Sequence, residues 1–208
     1  MRRNQFNEFE ELVQKLHPLL KGWRIAAGGL DSVLLDEAKK AGQRAVRARR
    51  ARNRQSEVGA TASAVLCAAA ACEARLSEYL AHYEAASGTL PDRLARIRNQ
   101  TNAREQWKIL LRHGAQGFDC GKSHEYLHLG CLFRLRDLVA HRNSRFELVG
   151  SVPNQIEDCV RQRVIPAANV HNATGWHTVL LVAAVASWAH KTAASWLRLV
   201  KKLVPQKC

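Results

Sequence analysis

The stretch that decides the fold is the apolar run VLCAAAAC, residues 65–72. Apolar side chains cover the whole circumference of a helix here, and Glu73 is the first charge after the run. A helix that is apolar on every side must be enclosed by other helices. The run therefore predicts a buried central helix over residues 57–86, which ends at Gly88.

Further helices are predicted on both sides of this central helix. Apolar residues recur at helical spacing in six other stretches, which are residues 4–18, 31–55, 92–114, 122–143, 154–164 and 174–203. The helix over 92–114 is expected to break near residues 99–102, and residues 146–152 are expected to be extended. The sequence thus predicts an all-α protein, an up-and-down helical bundle of residues 57–208 that follows an N-terminal helical extension of residues 1–56.

The charge balance points to a polyanionic partner. The chain has 32 Lys and Arg against 18 Asp and Glu, a formal net charge of +14. Such an excess favours nucleic acid first and an anionic membrane second. Residues 39–54 contain eight basic residues and no acidic one. Four arginines of this segment are candidate phosphate contacts: Arg44, Arg47, Arg50 and Arg54. The alternative is a solvated helix face or a mobile arm.

Compartment and membrane association are predicted by elimination. The N-terminal residues contain no apolar core of a secretory signal. The longest apolar run, residues 179–189, is shorter than the roughly 20 residues that span a bilayer. Six cysteines at irregular spacing do not resemble the disulfide framework of a secreted protein. We therefore expect a cytoplasmic protein without membrane association.

A metal site is considered and not favoured. Cys120, His124, His128 and Cys131 are spaced by four, four and three residues and consist of zinc-ligand types. Tetrahedral sites draw ligands from more than one element, whereas these residues fall on one helix and its lead-in. The stripe also continues into leucines, which is typical of a packing face. We expect no metal and no other cofactor.

The most informative segment is residues 132–143, LFRLRDLVAHRN. It contains an arginine, Arg136, then a polar residue, three apolar residues and a histidine, His141. This pattern resembles the Arg-polar-x-x-x-His signature of the HEPN superfamily, the higher eukaryotes and prokaryotes nucleotide-binding domain. The Ala-rich helix before Glu73 and the Trp- and Ala-rich final helix are similar to the core and closing helices of that family. The resemblance covers roughly residues 58–203.

The residue chemistry of the segment agrees with RNA cleavage. Asp137 and His141 lie four residues apart on a predicted helix, so a carboxylate can fix the tautomer of the imidazole. Arg136 can bind a phosphate with two hydrogen bonds. RNA cleavage needs a base for the 2′-hydroxyl and a cation for the developing charge on phosphorus. Arg134, seven residues before His141, shares its helix face and can replace or assist Arg136.

The resemblance implies a metal-independent endoribonuclease that acts as a homodimer, with two motifs facing each other. It also implies a toxin or antiviral defence role and a possible antitoxin or regulatory protein. Glu73 matches a polar position of some family members, and two further arginines are candidates to bind neighbouring phosphates, Arg142 and Arg145. Two alternatives stay open. One is a non-catalytic HEPN module that binds RNA or nucleotide, and the other is a helical interaction protein.

Overall fold

The computed structural model describes residues 29–100, 102–140, 154–166 and 180–204. These ranges contain seven α-helices and one short 3-10 helix, and no strand is present within them. The all-α prediction is confirmed. The predicted helix over 4–18 and the predicted extended piece over 146–152 lie outside the described residues.

The helices have the following bounds in chain order. They are α1 Leu30–Arg50, α2 Arg54–Ser87, α3 Asp92–Ala95, the 3-10 helix Arg96–Asn99, α4 Ala103–Gly114, α5 His124–Ala140, α6 Asn154–Arg161 and α7 Ala183–Leu203. The break predicted near residues 99–102 is present, because Asn102 starts α4 by accepting a hydrogen bond from the Arg104 amide at 2.9 Å.

The central helix is α2, as the apolar run predicts. The Asn53 side chain accepts a hydrogen bond from the Ser56 amide at 3.1 Å, and Gly88 ends the helix with a φ of 73°. Ala68, Ala69 and Cys72 are completely buried. Small side chains on α2 allow α1 and α7 to pack closely along it. Residues 65–72 thus form the middle of the bundle.

Aromatic rings fill the other side of the core, where α4, α5 and α7 meet. Trp107 of α4 and Trp196 of α7 are fully buried, with ring centroids 5.4 Å apart and nearly perpendicular planes. Tyr126 of α5 lies 5.9 Å from the Trp196 ring. Edge-to-face pairs of this kind add to the free energy of burial. They fix α5, which carries the motif, against the rest of the bundle.

Two buried carboxylates connect α2 to its neighbours. Asp31 of α1, only 4% exposed, accepts two hydrogen bonds from the Arg75 guanidinium at 2.6 and 2.9 Å. Glu57 accepts a hydrogen bond from the Ala183 amide at 2.9 Å and so caps the start of α7. A buried carboxylate needs such donors to remain charged. These contacts set how α1 and α7 sit on α2.

The predicted division between residues 56 and 57 falls within the first turn of α2. The helix on its N-terminal side, α1, packs along α2 and α7, and Ala38, Ala41 and Ala45 are fully buried there. By length and composition alone, α2 is able to cross a membrane. In the bundle it is the core helix, and core helices of soluble proteins meet the same criterion.

Candidate functional site

Helix α5 carries the part of the motif that the structure describes. Its first turn is capped by Ser123, whose hydroxyl accepts a hydrogen bond from the Tyr126 amide at 3.1 Å. Leu132 and Leu135 bury the helix against the core. The described part of the helix ends at Ala140. His141, Arg142 and Arg145 lie outside the described residues.

Three of the predicted site residues form one charged cluster. Nη2 of Arg136 lies 2.9 Å from Oε1 of Glu73 on α2, and its Nε lies 2.9 Å from Oδ1 of Asp137. The Arg136 guanidinium also lies 5.6 Å from the centroid of the Phe133 ring. The structure therefore brings Glu73, Arg136 and Asp137 together, although 63 residues separate Glu73 from Arg136.

The electrostatics of this cluster limit what Arg136 can bind. Burial raises the pKa of Glu73, the Arg136 charge opposes that rise, and Asp137 adds to it. One guanidinium thus faces two carboxylates. When both carboxylates are ionised, the cluster has a net negative charge, which repels a phosphate. The Arg136 guanidinium is thus occupied by two carboxylates, although its Nε makes no well-aligned hydrogen bond to Asp137.

Arg134 has different surroundings. Its side chain is exposed and extends towards α6, where Nη1 lies 3.9 Å from Sγ of Cys159. It has no carboxylate partner among the described residues. Positions 134 and 136 are about 200° apart around a helix, so the two arginines diverge, whereas Arg134 and Asp137 lie about one turn apart on one side.

A disulfide is the main feature that sequence reasoning missed. Cys131 of α5 is bonded to Cys159 of α6, and both residues are buried. The bond joins the motif helix to α6 beneath Arg134. Cysteine spacing gives no pairing by itself, so only the three-dimensional structure reveals this pair. Disulfides are rare in a reducing cytosol, and the cytoplasmic location stays a prediction.

Two of the four residues considered as zinc ligands have other partners. Cys131 is used in the disulfide, and the described residues contain no group of three potential ligands. Nε1 of Trp188 donates to Nδ1 of His128 at 3.1 Å. His128 therefore carries its proton on Nε2, which faces Nε2 of His124 at 3.1 Å. A protonated ring nitrogen has no lone pair for a metal.

The basic segment is divided by a turn that the sequence reasoning missed. Helix α1 ends at Arg50, Arg52 has a φ of 55°, and Arg54 already belongs to α2. The prediction of one helix over 31–55 is therefore wrong, and Arg54 belongs to a different helix from Arg47 and Arg50. The Arg54 guanidinium lies 2.8 Å from the Glu57 carboxylate.

The four predicted phosphate contacts consequently separate. Arg47 and Arg50 line a groove between α1 and α7. Arg44, which is exposed, faces α2, where its charge acts against the burial that raises the pKa of Cys67. Arg54 belongs to the Glu57 contact at the start of α7.

Comparison of this chain with family models, with curated proteins and with solved structures finds no match. The HEPN resemblance accordingly stays a prediction from residues 58–203.

Proposed function

We propose that this protein is a metal-independent endoribonuclease whose catalytic residues are Arg134 and Asp137 of α5 together with His141, which follows α5 in the sequence. The observation that carries the proposal is the arrangement of Arg134 and Asp137. Arg134 and Asp137 are exposed on one side of α5, and Asp137 is held by the Arg136 guanidinium, which is itself bound to Glu73. His141 follows Asp137 by four residues in the sequence, the spacing at which helical side chains meet.

The proposed reaction is an internal transesterification. Asp137 accepts a hydrogen bond from one nitrogen of His141, and the other nitrogen takes the proton of a ribose 2′-hydroxyl. The 2′-oxygen forms a bond to phosphorus, and the bond between phosphorus and the 5′-oxygen breaks. The leaving 5′-oxygen receives a proton, so the products are a 2′,3′-cyclic phosphate and a 5′-hydroxyl. Arg134 stabilises the charge that develops on the phosphate oxygens.

Arg136 has a positioning role in this proposal. Its two carboxylate contacts neutralise it, so it orients Asp137 and does not bind the substrate. This modifies the expectation from sequence, in which Arg136 contacts the phosphate. Replacement by lysine keeps the charge that holds Asp137, and we expect Arg136→Lys to retain more activity than Arg136→Gln.

The HEPN resemblance supports the rest of the proposal. It favours a homodimer, in which His141 of the second copy protonates the leaving oxygen, and a toxin or defence role in the cytoplasm under an antitoxin or regulatory protein. A non-catalytic RNA-binding module is the second candidate. It is favoured by the excess of carboxylate over guanidinium around Arg136, because a negative cluster is a poor phosphate site.

The test is cleavage of labelled single-stranded RNA in EDTA. We expect the wild-type protein to produce 2′,3′-cyclic phosphate ends and His141→Ala to be about 10²–10⁴-fold slower, as loss of a general base requires. Arg134→Gln is expected to be slower than Arg136→Lys. His82→Ala, on α2, is the matched control and is expected to cut normally.

Two outcomes of this test contradict the proposal. Undiminished cutting by His141→Ala removes the catalytic assignment. Binding of RNA by the wild-type protein without any cleavage favours the non-catalytic module instead.

A further inference from the structure

Helices α1 and α7 pack against each other through small residues. A Cβ atom added to Gly42 of α1 would lie 3.8 Å from the backbone of Ala186 on α7. Ala41, Ala45 and Ala183 are buried at the same contact. With no large side chains between the two backbones, the longer side chains along both helices extend outward and form the walls of a groove.

This groove, which we call the seam groove, is lined by residues of both helices. Its main hollow has a volume of about 510 Å³ and is bordered by Lys39, Arg47 and Arg50 of α1 and by His190 and Lys191 of α7. A second hollow of about 480 Å³ shares Arg50 with the first and also includes Arg49. The two hollows are therefore neighbours along the contact between the helices.

The charge of the seam groove is positive along its length. No Asp or Glu is among the described residues that line either hollow. The residues Lys39, Arg47, Arg50 and Lys191 are exposed and have no ion-pair partner in the described parts of the chain.

His190 borders the seam groove, and Asp36 is the acidic residue that acts on it. Burial lowers the pKa of His190, Lys39 and Lys191 lower it further, and Asp36 acts in the opposite direction. The Asp36 carboxylate is in ion-pair contact with Lys40 at 2.8 Å, whereas Lys39 acts on it only through space.

We infer that the seam groove binds the phosphodiester backbone of single-stranded RNA. This inference rests on the proposed function and names the surface that holds its substrate. From the sequence only the α1 side was expected to contact phosphate; α7 supplies the second wall through Lys191 and His190. Arg44 and Arg54 of the predicted set are outside the groove.

The dimensions of the groove favour a single strand. The positions Lys39 to Arg50 span about 16 Å of helix at 1.5 Å per residue. The cations spread along this length can each meet a different phosphate of one extended strand. A flat membrane surface does not enter a concave groove between two helices. An acidic protein partner would need the apolar and aromatic centre of a protein interface, and only alanines and Val46 are present here.

The experiment compares two variants that lose the same charge. The seam variant is Lys39→Gln, Arg47→Gln, Arg50→Gln and Lys191→Gln, and the control variant changes four exposed cations elsewhere, Arg93, Arg112, Lys201 and Lys202, to Gln. Both are made with His141→Ala so that bound RNA is not cut. Binding of a short fluorescein-labelled oligouridylate is measured by anisotropy over a series of salt concentrations.

The expected result is a change in salt dependence for the seam variant alone. Each phosphate contact contributes about 0.7 to the slope of log K against log salt, so four lost contacts flatten it by about 3 and weaken binding about 10²–10³-fold at about 0.1 M salt. The control variant is expected to keep the slope of the His141→Ala protein. Should the fourfold variant fail to fold, the pairs Lys39→Gln with Lys191→Gln and Arg47→Gln with Arg50→Gln are each expected to flatten the slope by about 1.4.

The outcomes separate this inference from the proposed function. Equal slopes for the seam variant and the control overturn the seam groove as the binding surface, whether or not the protein cleaves RNA. A flattened slope in a protein whose wild type never cleaves RNA keeps the groove and overturns the nuclease. A DNA strand of matching length tests whether the phosphodiester backbone alone is recognised, and equal affinity for RNA and DNA is expected. Tight binding of acidic polypeptide with none of RNA overturns the inference.

Discussion

Arginine side chains in two regions of this protein have the same charge and opposite surroundings. Arg75 and Arg136 each contact carboxylates, Asp31 in the first case and Glu73 in the second. Arg47 and Arg50 of the seam groove have no carboxylate partner among the described residues. A net charge of +14 counts these groups alike. The presence or absence of a contacting carboxylate shows which cations stabilise the fold and which are available to another molecule.

The two groups of arginines differ in what their removal leaves behind. Loss of a paired arginine leaves a buried carboxylate without its counter-charge, which is costly in a low-dielectric interior. Loss of an exposed, unpaired cation leaves nothing uncompensated and reduces repulsion within a strongly basic protein. Loss of a paired arginine is therefore expected to lower stability, whereas loss of an unpaired arginine of the seam groove is expected to lower RNA affinity.

The largest effect on stability is expected for Arg75→Gln. The Asp31 side chain is only 4% exposed and accepts both of its strong hydrogen bonds from Arg75. Breaking a buried ion pair from one side costs about 3 kcal/mol or more. Urea denaturation followed by circular dichroism measures this loss in the free energy of unfolding.

The matched control for that measurement is Arg50→Gln in the seam groove. An exposed residue without partners is expected to change the free energy of unfolding by less than about 0.5 kcal/mol. If Arg50→Gln destabilises the protein as much as Arg75→Gln does, the division between structural and available cations is wrong.

A smaller effect, dependent on pH, is expected for Arg136→Gln. Burial already raises the pKa of Glu73 above its ordinary value of 4.5, and Arg136 limits that rise. A carboxyl with a raised pKa contributes stability below its unfolded pKa and loses that contribution as the pH rises through its folded pKa. Without Arg136 the folded pKa rises further. The variant is therefore expected to be destabilised at neutral pH and much less below pH 4.5.

The size of this loss in stability follows from the solvent exposure of the two side chains. The side chains of Arg136 and Glu73 are 26% and 38% exposed, so solvent screens the pair and the loss at neutral pH is about 1 kcal/mol. Glu73→Gln combined with Arg136→Gln is the control, because it removes the group that titrates. If Arg136→Gln alone loses the same stability at every pH, the ion pair with Glu73 is not the source of the loss.

Local sequence predicted the central helix and the break before α4. An all-round apolar run such as residues 65–72 has one stable environment, the middle of a bundle. Asn102 marks the start of α4 because its side chain competes for a backbone amide. These features depend on residues within a few positions of one another, which is why a pattern can reveal them.

The pairings at the candidate site depend on residues that are distant in sequence. Glu73 approaches Arg136 from another helix, and Cys159 approaches Cys131 across 28 residues. Lys191 joins Arg47 only because α1 and α7 pack through glycine and alanine. No spacing rule on one helix contains this information. The sequence therefore located the charged residues of the site and could not assign their partners.

The most direct test of RNA binding in the seam groove uses the unmodified chain. Lysines are acetylated in the presence and absence of single-stranded RNA and quantified by mass spectrometry. We expect RNA to protect Lys39 and Lys191 of the seam groove and to leave Lys201 and Lys202 as reactive as they are without RNA. All four are exposed, so they begin with comparable access to the reagent. Equal protection of all four, or protection of Lys201 and Lys202 alone, would contradict the claim that the cations of the seam groove bind RNA.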